Sequence, residues 1–290
     1  MTVMELKQLK YFVTVADEGS ISAAARKLFM SQPPLSLQIK LLEKELDCCL
    51  FERGARRVSL TEQGKFLYDK AQSLLKIHDN TKEEILALTH SNSGTVRLGI
   101  VSSVVNLFSE KFLKDFSAEY PDIKFEITES NTYNLLEKVK SNEIQIAIVR
   151  TPCDIGNLDK IALSSENLVA VSADNNSFSD KTISIKLLKD NDFVIYRRWE
   201  NLIRRASETY DLKLNFKFVV DDARTVVTLV DLNTGIGIVP QSIVKDTALN
   251  YAKVSELNIK SDIILIYNKN SYLPNSSKKF INFVKETKSS

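Results

Sequence analysis

Residues 20–46 read SISAAARKLFMSQPPLSLQIKLLEKEL. Ser20 or Ser22 can N-cap a helix over Ile21–Leu28, and its run Ala23-Ala24-Ala25 lets another helix approach closely. Phe29-Met30 reads as a short turn and Ser31 as the cap of a third helix. Pro33 and Pro34 fall in that helix's first turn, where their missing N–H groups cost nothing. Leu35, Ile39, Leu42 and Leu46 recur at helical spacing and predict a buried stripe. Gln32, Ser36 and Lys40 lie off it, near the leading end. A short helix, a tight turn and a second helix with a polar leading face make a helix-turn-helix. Side chains of this hydrogen-bonding type suit a helix that enters the major groove of DNA.

Outward from this core, Leu6, Leu9, Phe12, Val13 and Ala16 predict a first helix ending near Gly19. Downstream, Leu50-Phe51 and Val58-Ser59-Leu60 alternate like two short strands. Between them Arg53, Gly54, Ala55, Arg56 and Arg57 form the tip of a wing, with arginines placed for phosphates or the minor groove. Overall net charge is only +2, so the basic signal is local. The plain alternative is a three-helix bundle with no nucleic-acid role. Thr61 then caps a long helix in which Leu67, Ala71, Leu74, His78, Thr81, Ile85 and Leu88 step by four and three, a heptad seam that implies a partner helix. A helix packed on its own domain is the competing reading.

The string LKQLKYFVTVADEGSISAAARKLFMSQPPLSLQIKLLEKEL, followed by LFERGARRVSLTEQG, resembles the LysR-type transcriptional regulators. Two positions depart from that pattern. Leu37 replaces a frequent basic residue, and Asp47 replaces a helix-ending glycine, leaving the turn without its easy left-handed residue. The resemblance implies a DNA-binding winged helix-turn-helix, with Ser22, Gln32, Pro33, Ser36, Lys40, Arg53, Arg56 and Arg57 toward double-stranded DNA. It also implies a dimer through the long helix, commonly a tetramer, and an effector-binding regulatory domain. The expected division is 1–61 for the DNA-binding domain, 62–90 for the linker helix and 91–290 for the effector domain.

Beyond the polar hinge at 91–94, strand and helix patterns alternate in two sets: strands at 95–101, 124–129 and 143–149, then 168–171, 193–196, 215–220, 235–240 and 263–267. Helices fall between, at 104–119, 132–142, 185–189, 201–210 and 224–233, and one closes the chain at 276–285. This is an α/β pattern of two lobes, with a parallel sheet expected. The first lobe is placed at about 95–165 and 268–290 and the second at about 166–267. The pair resembles the family's regulatory domain, which shares the fold of type-2 periplasmic binding proteins. Open α/β sheets take ligands beyond the carboxyl ends of their strands. There stand Ser102, Ser103, Thr132 and Arg150 in the first lobe, and Tyr196 and Arg197, followed by Arg198, in the second. Hydroxyl and guanidinium groups of this kind suit an anionic effector, most simply a carboxylate. Ser103 and Thr132 also match family positions lining the effector cleft, although serine and threonine cap helices routinely.

The remaining composition excludes more than it suggests. His78 and His90 are the only histidines and Cys48, Cys49 and Cys153 the only cysteines, a poor basis for a zinc site, a disulfide framework or histidine catalysis. No phosphate loop or nucleophile–base pairing stands out, so neither cofactor nor enzymatic activity is expected. No apolar run approaches a membrane span and the first residues lack a secretory signal, so a cytoplasmic protein is expected. A solute-binding protein or enzyme of similar α/β fold, and a thiol sensor built on Cys153, are the competing functions.

Overall fold

The apolar spacing of the N-terminus folds into the helices that it specifies. In a computed structural model describing residues 4–53, 58–87, 93–174, 178, 180–245, 247–257 and 259–289, the chain divides into two compact units, Met1–Thr89 and His90–Ser290. In the first, α1 (Leu6–Glu18) ends on Gly19 at φ +57°, and α2 (Ile21–Lys27) is capped by Ser20, whose side chain accepts from the Ala23 N–H. α3 (Gln32–Glu45) buries Leu35, Ile39 and Leu42 against Leu9, Phe12 and Val15 of α1. Leu46 departs from the expected stripe and is 38% exposed. The helix stops one residue earlier, and Asp47 turns the chain at φ +50°, taking the left-handed conformation without a glycine. Phe29 does the same at φ +52° between α2 and α3, with its ring almost wholly in solvent.

β1 (Phe51–Arg53) and β2 (Val58–Leu60) pair antiparallel as the expected wing. α4 (Glu62–Ala87) starts from Thr61, whose hydroxyl accepts from the Gly64 N–H at 3.0 Å and donates to the Cys49 carbonyl at 2.8 Å. Gly64 has no freedom to be larger, since a Cβ there would sit 2.1 Å from the Leu50 carbonyl oxygen. This close approach brings α4 onto the helix-turn-helix core. Ala71 is fully buried there, and Leu67 and Leu75 pack against the same cluster. The start of the expected seam is therefore satisfied within the unit, while Leu74 and Ile85 remain 43% and 60% exposed. Leu88, His90 and the tip residues Arg56 and Arg57 lie outside the described residues, as does the side chain of Arg53.

The second unit alternates strands and helices: β3 (Gly94–Ile100), α5 (Val105–Phe108), α6 (Lys114–Glu119), β4 (Ile123–Glu129), α7 (Thr132–Lys140) and β5 (Ile146–Arg150). A π-helical turn, Ser109–Leu113, joins α5 to α6. There follow β6 (Asp159–Ser172), β7 (Thr182–Ile183), β8 (Asp192–Tyr196), α8 (Arg197–Glu208), β9 (Asn215–Val220), α9 (Ala223–Asp231), β10 (Ile236–Pro240), β11 (Asn250–Val254), β12 (Lys260–Tyr267) and α10 (Asn275–Ser289). Strand order is β4-β3-β5-β12-β6-β10-β8-β9. The sheet is mixed rather than parallel. β3 with β4 and β5, and β8 with β9 and β10, are parallel, but β12 runs antiparallel to β5 and β6, and β10 antiparallel to β6.

β6 belongs to both lobes. Its first part, Asp159–Asn167, pairs with β12, and its last part, Leu168–Val171, pairs with β10. Because β12 also pairs with β5, residues 260–267 complete the first lobe's sheet instead of ending the second. α10 returns to the first lobe, where Phe280, Ile281 and Val284 join its core. The second lobe packs Trp199, Ile203 and Phe193 on one side of its strands and Val226, Val230 and Val194 on the other.

Candidate functional site

In the first unit, the N-terminal half of α3 presents polar groups outward. Ser22, Gln32, Pro33 and Lys40 are exposed and Ser36 is half-buried, while Leu35 and Ile39 point into the core. Ser22 Oγ donates to Gln32 Oε1 at 2.9 Å, so α2 orients the first side chain of α3. Gln32 thereby keeps its amide N–H groups for an outside acceptor.

In the second unit, a cleft of about 200 Å³ opens where the strands of both lobes end. Ser102 and Ser103 follow β3, Thr132 opens α7 and Arg150 ends β5; Tyr196 and Arg198 face them from the second lobe, with Glu129, Asp221 and Asp222 along the rim. Of the residues expected from sequence, Ser102, Ser103, Thr132, Arg150 and Tyr196 are brought together here. Arg197 is not. Its side chain is 60% exposed and paired with Asp221 at 2.6 Å. The expected helix start at residue 201 leaves the direction of both arginines open. Because α8 begins at Arg197, consecutive side chains diverge by roughly 100° about its axis, and Arg198 takes the cleft.

Arg150 lines the cleft, yet its guanidinium is fully occupied. Nε donates to Ser103 Oγ at 2.9 Å, Nη1 to Glu166 and Ser261 at 2.6 and 3.2 Å, and Nη2 to the Ser103 carbonyl and Ser242 Oγ at 3.2 and 3.1 Å. Those bonds use every N–H that an arginine has. The role of a free anion ligand expected for Arg150 is therefore corrected to that of a hub. Glu166 in turn accepts from the Ser242 N–H and Oγ at 2.6 and 2.8 Å, tying the second lobe to the middle of β6. Burial pulls the Arg150 pKa down while the Glu166 carboxylate opposes the shift.

Two further residues belong to the cleft wall. Thr132 is 2% exposed and lines the cleft, and it is not needed as the cap of α7, which Asn131 supplies by accepting from the Asn134 N–H. Arg198 donates from Nη2 to the carbonyls of Arg150 and Pro152, across a cis Thr151–Pro152 bond, while its Nε is buried without a partner. Its guanidinium also lies over the rings of Tyr133 and Trp199, 5.6 and 5.2 Å from their centroids.

The acids of the rim are engaged. Asp222 caps α9 through the Arg224 N–H at 2.7 Å. Burial works to raise its pKa, but hydrogen bonds from Arg224 and Ser102 outweigh that and hold it below the usual carboxylate value. Arg224 also reaches Glu129 of the first lobe at 2.6 Å. Burial raises the pKa of the Tyr196 phenol and likewise of the Cys153 thiol, the reverse of what a reactive thiolate needs. Glu166, Asp222 and Glu129 carry no signal in the sequence, whereas Arg198 is visible there as the second of two arginines after a strand.

Residues 6–65 match the family described as bacterial regulatory helix-turn-helix protein, lysR family, and residues 89–289 match the LysR substrate binding domain. This chain belongs to the LysR-type transcriptional regulators. As such it is a DNA-binding transcription regulator with a substrate-binding domain. Similar members include BudR of Raoultella terrigena, 30% identical with 82% of this chain and 85% of that protein covered, and BenM of Acinetobacter baylyi, 30% identical with 82% and 81% covered. The crystal structure of CbnR, a LysR family transcriptional regulator, superposes with a TM-score of 0.79 at 21% identity, covering 98% of this chain and 99% of that one, a likeness of fold. Among the described residues of this LysR-type regulator no helix is long and apolar enough to cross a membrane, and no cluster of His, Cys, Asp and Glu could hold a metal ion.

Proposed function

We propose that this regulator reads its operator with the leading face of α3 and grips the phosphates with its wing, and that a small molecule bearing a carboxylate, bound in the interlobe cleft, sets its activity. Gln32, Ser36, Lys40 and Ser22, with Pro33 shaping the helix start, meet the DNA; Arg53, Arg56 and Arg57 supply charge. The cleft reading is carried by one observation: Arg198, which pairs with no carboxylate among the described residues and has a buried Nε without a partner, lines a cavity between the lobes beside Thr132. A buried or half-buried cation ordinarily finds an anion, and a carboxylate in the cleft would supply one to the Arg198 guanidinium. Ser102, Ser103 and Tyr196 complete the wall, and Arg150 holds it in shape. The functional division follows as 1–61, 62–90 and 91–290.

Assembly as a homodimer, or a tetramer built from dimers, supplies the two half-sites that a helix-turn-helix protein uses. Leu74 and Ile85, exposed on α4 at heptad spacing, are the proposed contacts with a second copy.

The test pairs footprinting with calorimetry on the full chain. Gln32→Ala should change preference among operator sequences, whereas Arg57→Ala should weaken all sequences alike and lower the log–log salt slope by about one. Arg198→Gln should remove binding of small carboxylates while leaving DNA affinity in their absence unchanged. Failure to bind any duplex at low salt, with or without ligand, rejects the DNA reading; full carboxylate affinity in Arg198→Gln rejects the cleft.

A further inference from the structure

The charges around the cleft do not pair off one to one. Arg150 is matched by Glu166 and Arg197 by Asp221, each at 2.6 Å. Arg224 serves two carboxylates, Glu129 at 2.6 Å and Asp222 at 3.1 Å. Arg198 has no carboxylate among the described residues, only the carbonyls of Arg150 and Pro152. Positive charge is thus in excess at Arg198, and negative charge in excess at the Glu129–Asp222 pair, within a single cleft.

That separation discriminates among ligands by charge type. A dianion that satisfied Arg198 would bring its second carboxylate into the field of Glu129 and Asp222, where like charges repel. A monoanion leaves the acidic end without its missing cation, and a simple amine leaves Arg198 unmatched. A molecule with one carboxylate and one ammonium answers both ends. It must also be small, because the cleft of about 200 Å³ lies below the ~300–1,000 Å³ of pockets for drug-sized ligands.

Building on the reading of this cleft as the effector site, we infer that the effector is a small zwitterion of the amino acid class with an uncharged side chain. Its carboxylate lies against Arg198 and the Thr132 hydroxyl, and its ammonium against Glu129 and Asp222. Arg224 then shares its two carboxylates with the ligand. Because Arg224 and Asp222 come from the second lobe and Glu129 from the first, the ammonium bridges the same two lobes as that arginine.

The experiment is calorimetry of the full-length protein against glycine, L-alanine, L-serine, L-threonine, L-valine, β-alanine and γ-aminobutyrate. Each is set beside the analogue with hydroxyl in place of ammonium, together with succinate and butylamine. At least one amino acid should bind, and its hydroxy analogue about tenfold or more weaker, the worth of a charge-assisted bond. Glu129→Gln, at a half-exposed position that tolerates the change, should reduce that preference to under about threefold. Arg198→Gln should weaken the amino acid and the hydroxy acid alike. A hydroxy acid or succinate binding as tightly as every amino acid overturns the zwitterion, as does silence from all seven amino acids. If such an anion loses affinity in Arg198→Gln, the cleft reading survives that failure. Amino acid affinity unchanged in both Arg198→Gln and Thr132→Val moves the site elsewhere and overturns the cleft itself.

Discussion

Replacing Arg150 by methionine should unfold the second unit far more easily than a surface change would. Arg150 and Glu166 have side chains only 3% and 14% exposed and meet at 2.6 Å. Methionine preserves much of the aliphatic volume but leaves Glu166 charged in a buried setting, with Ser242 as its remaining donor. Removing one partner of a buried ion pair costs about 3–5 kcal/mol, most of it the desolvation of the charge left behind. The assay is urea unfolding followed by tryptophan fluorescence, because Trp199 is the single tryptophan of the sequence and is fully buried in this unit. With a urea slope of about 3 kcal/mol per M, the upper end for small proteins, the midpoint should fall by about 1–1.7 M. Glu166→Gln added to Arg150→Met should restore roughly 1–2 kcal/mol by removing the unpaired charge. A midpoint shift under about 0.3 M, or a double variant less stable than Arg150→Met, refutes the hub and returns Arg150 to the role of a dispensable cleft ligand.

Other outcomes can be read more simply. Phe29→Asn should stabilise the first unit by about 0.5–1 kcal/mol, since an exposed phenylalanine at φ +52° carries the left-handed cost without packing to offset it; a lower first melting transition by calorimetry contradicts this. Leu74→Asp and Ile85→Asp should each reduce the mass seen by light scattering to that of the monomer, because a charge in the seam between two helices would be buried without a partner; a wild-type mass in both refutes the seam. Ligand binding at Arg198 should change Trp199 emission, as the guanidinium lies 5.2 Å from the indole; saturating ligand with an unchanged spectrum places the ligand away from Arg198.

What was legible in the sequence follows the range of the interactions involved. The helices of the first unit rest on contacts three and four residues apart, and Ser20, Gly19 and Pro33 announce their ends, so α1 to α3 emerge nearly as the spacing predicts. Leu46 failed because a single residue's conformation at Asp47 decides where α3 stops. In the second unit, strands were found wherever apolar runs were dense, but β12 was assigned to the wrong lobe because pairing with β5, more than a hundred residues away, leaves no local trace. The cleft was legible as strand ends. Its electrostatics were not, because Glu166 was invisible as the partner of Arg150, and the choice between Arg197 and Arg198 turned on the phase of one helix.

The position of β12 also bears on how the protein is made. It fills the centre of the first lobe, between β5 and β6, yet the ribosome delivers it after the whole second lobe, and α10 later still. At ~5–20 residues per second, β5 waits roughly six to twenty seconds for β12 to be synthesised. Through that interval the nascent β4-β3-β5 sheet offers the apolar edge Ile146–Arg150 with no strand to cover it. The helix-turn-helix unit has by then long been translated. A prematurely terminated product would therefore keep a DNA-binding head on a first lobe that cannot close, a species that chaperones or proteases must remove before it occupies operators without responding to any signal.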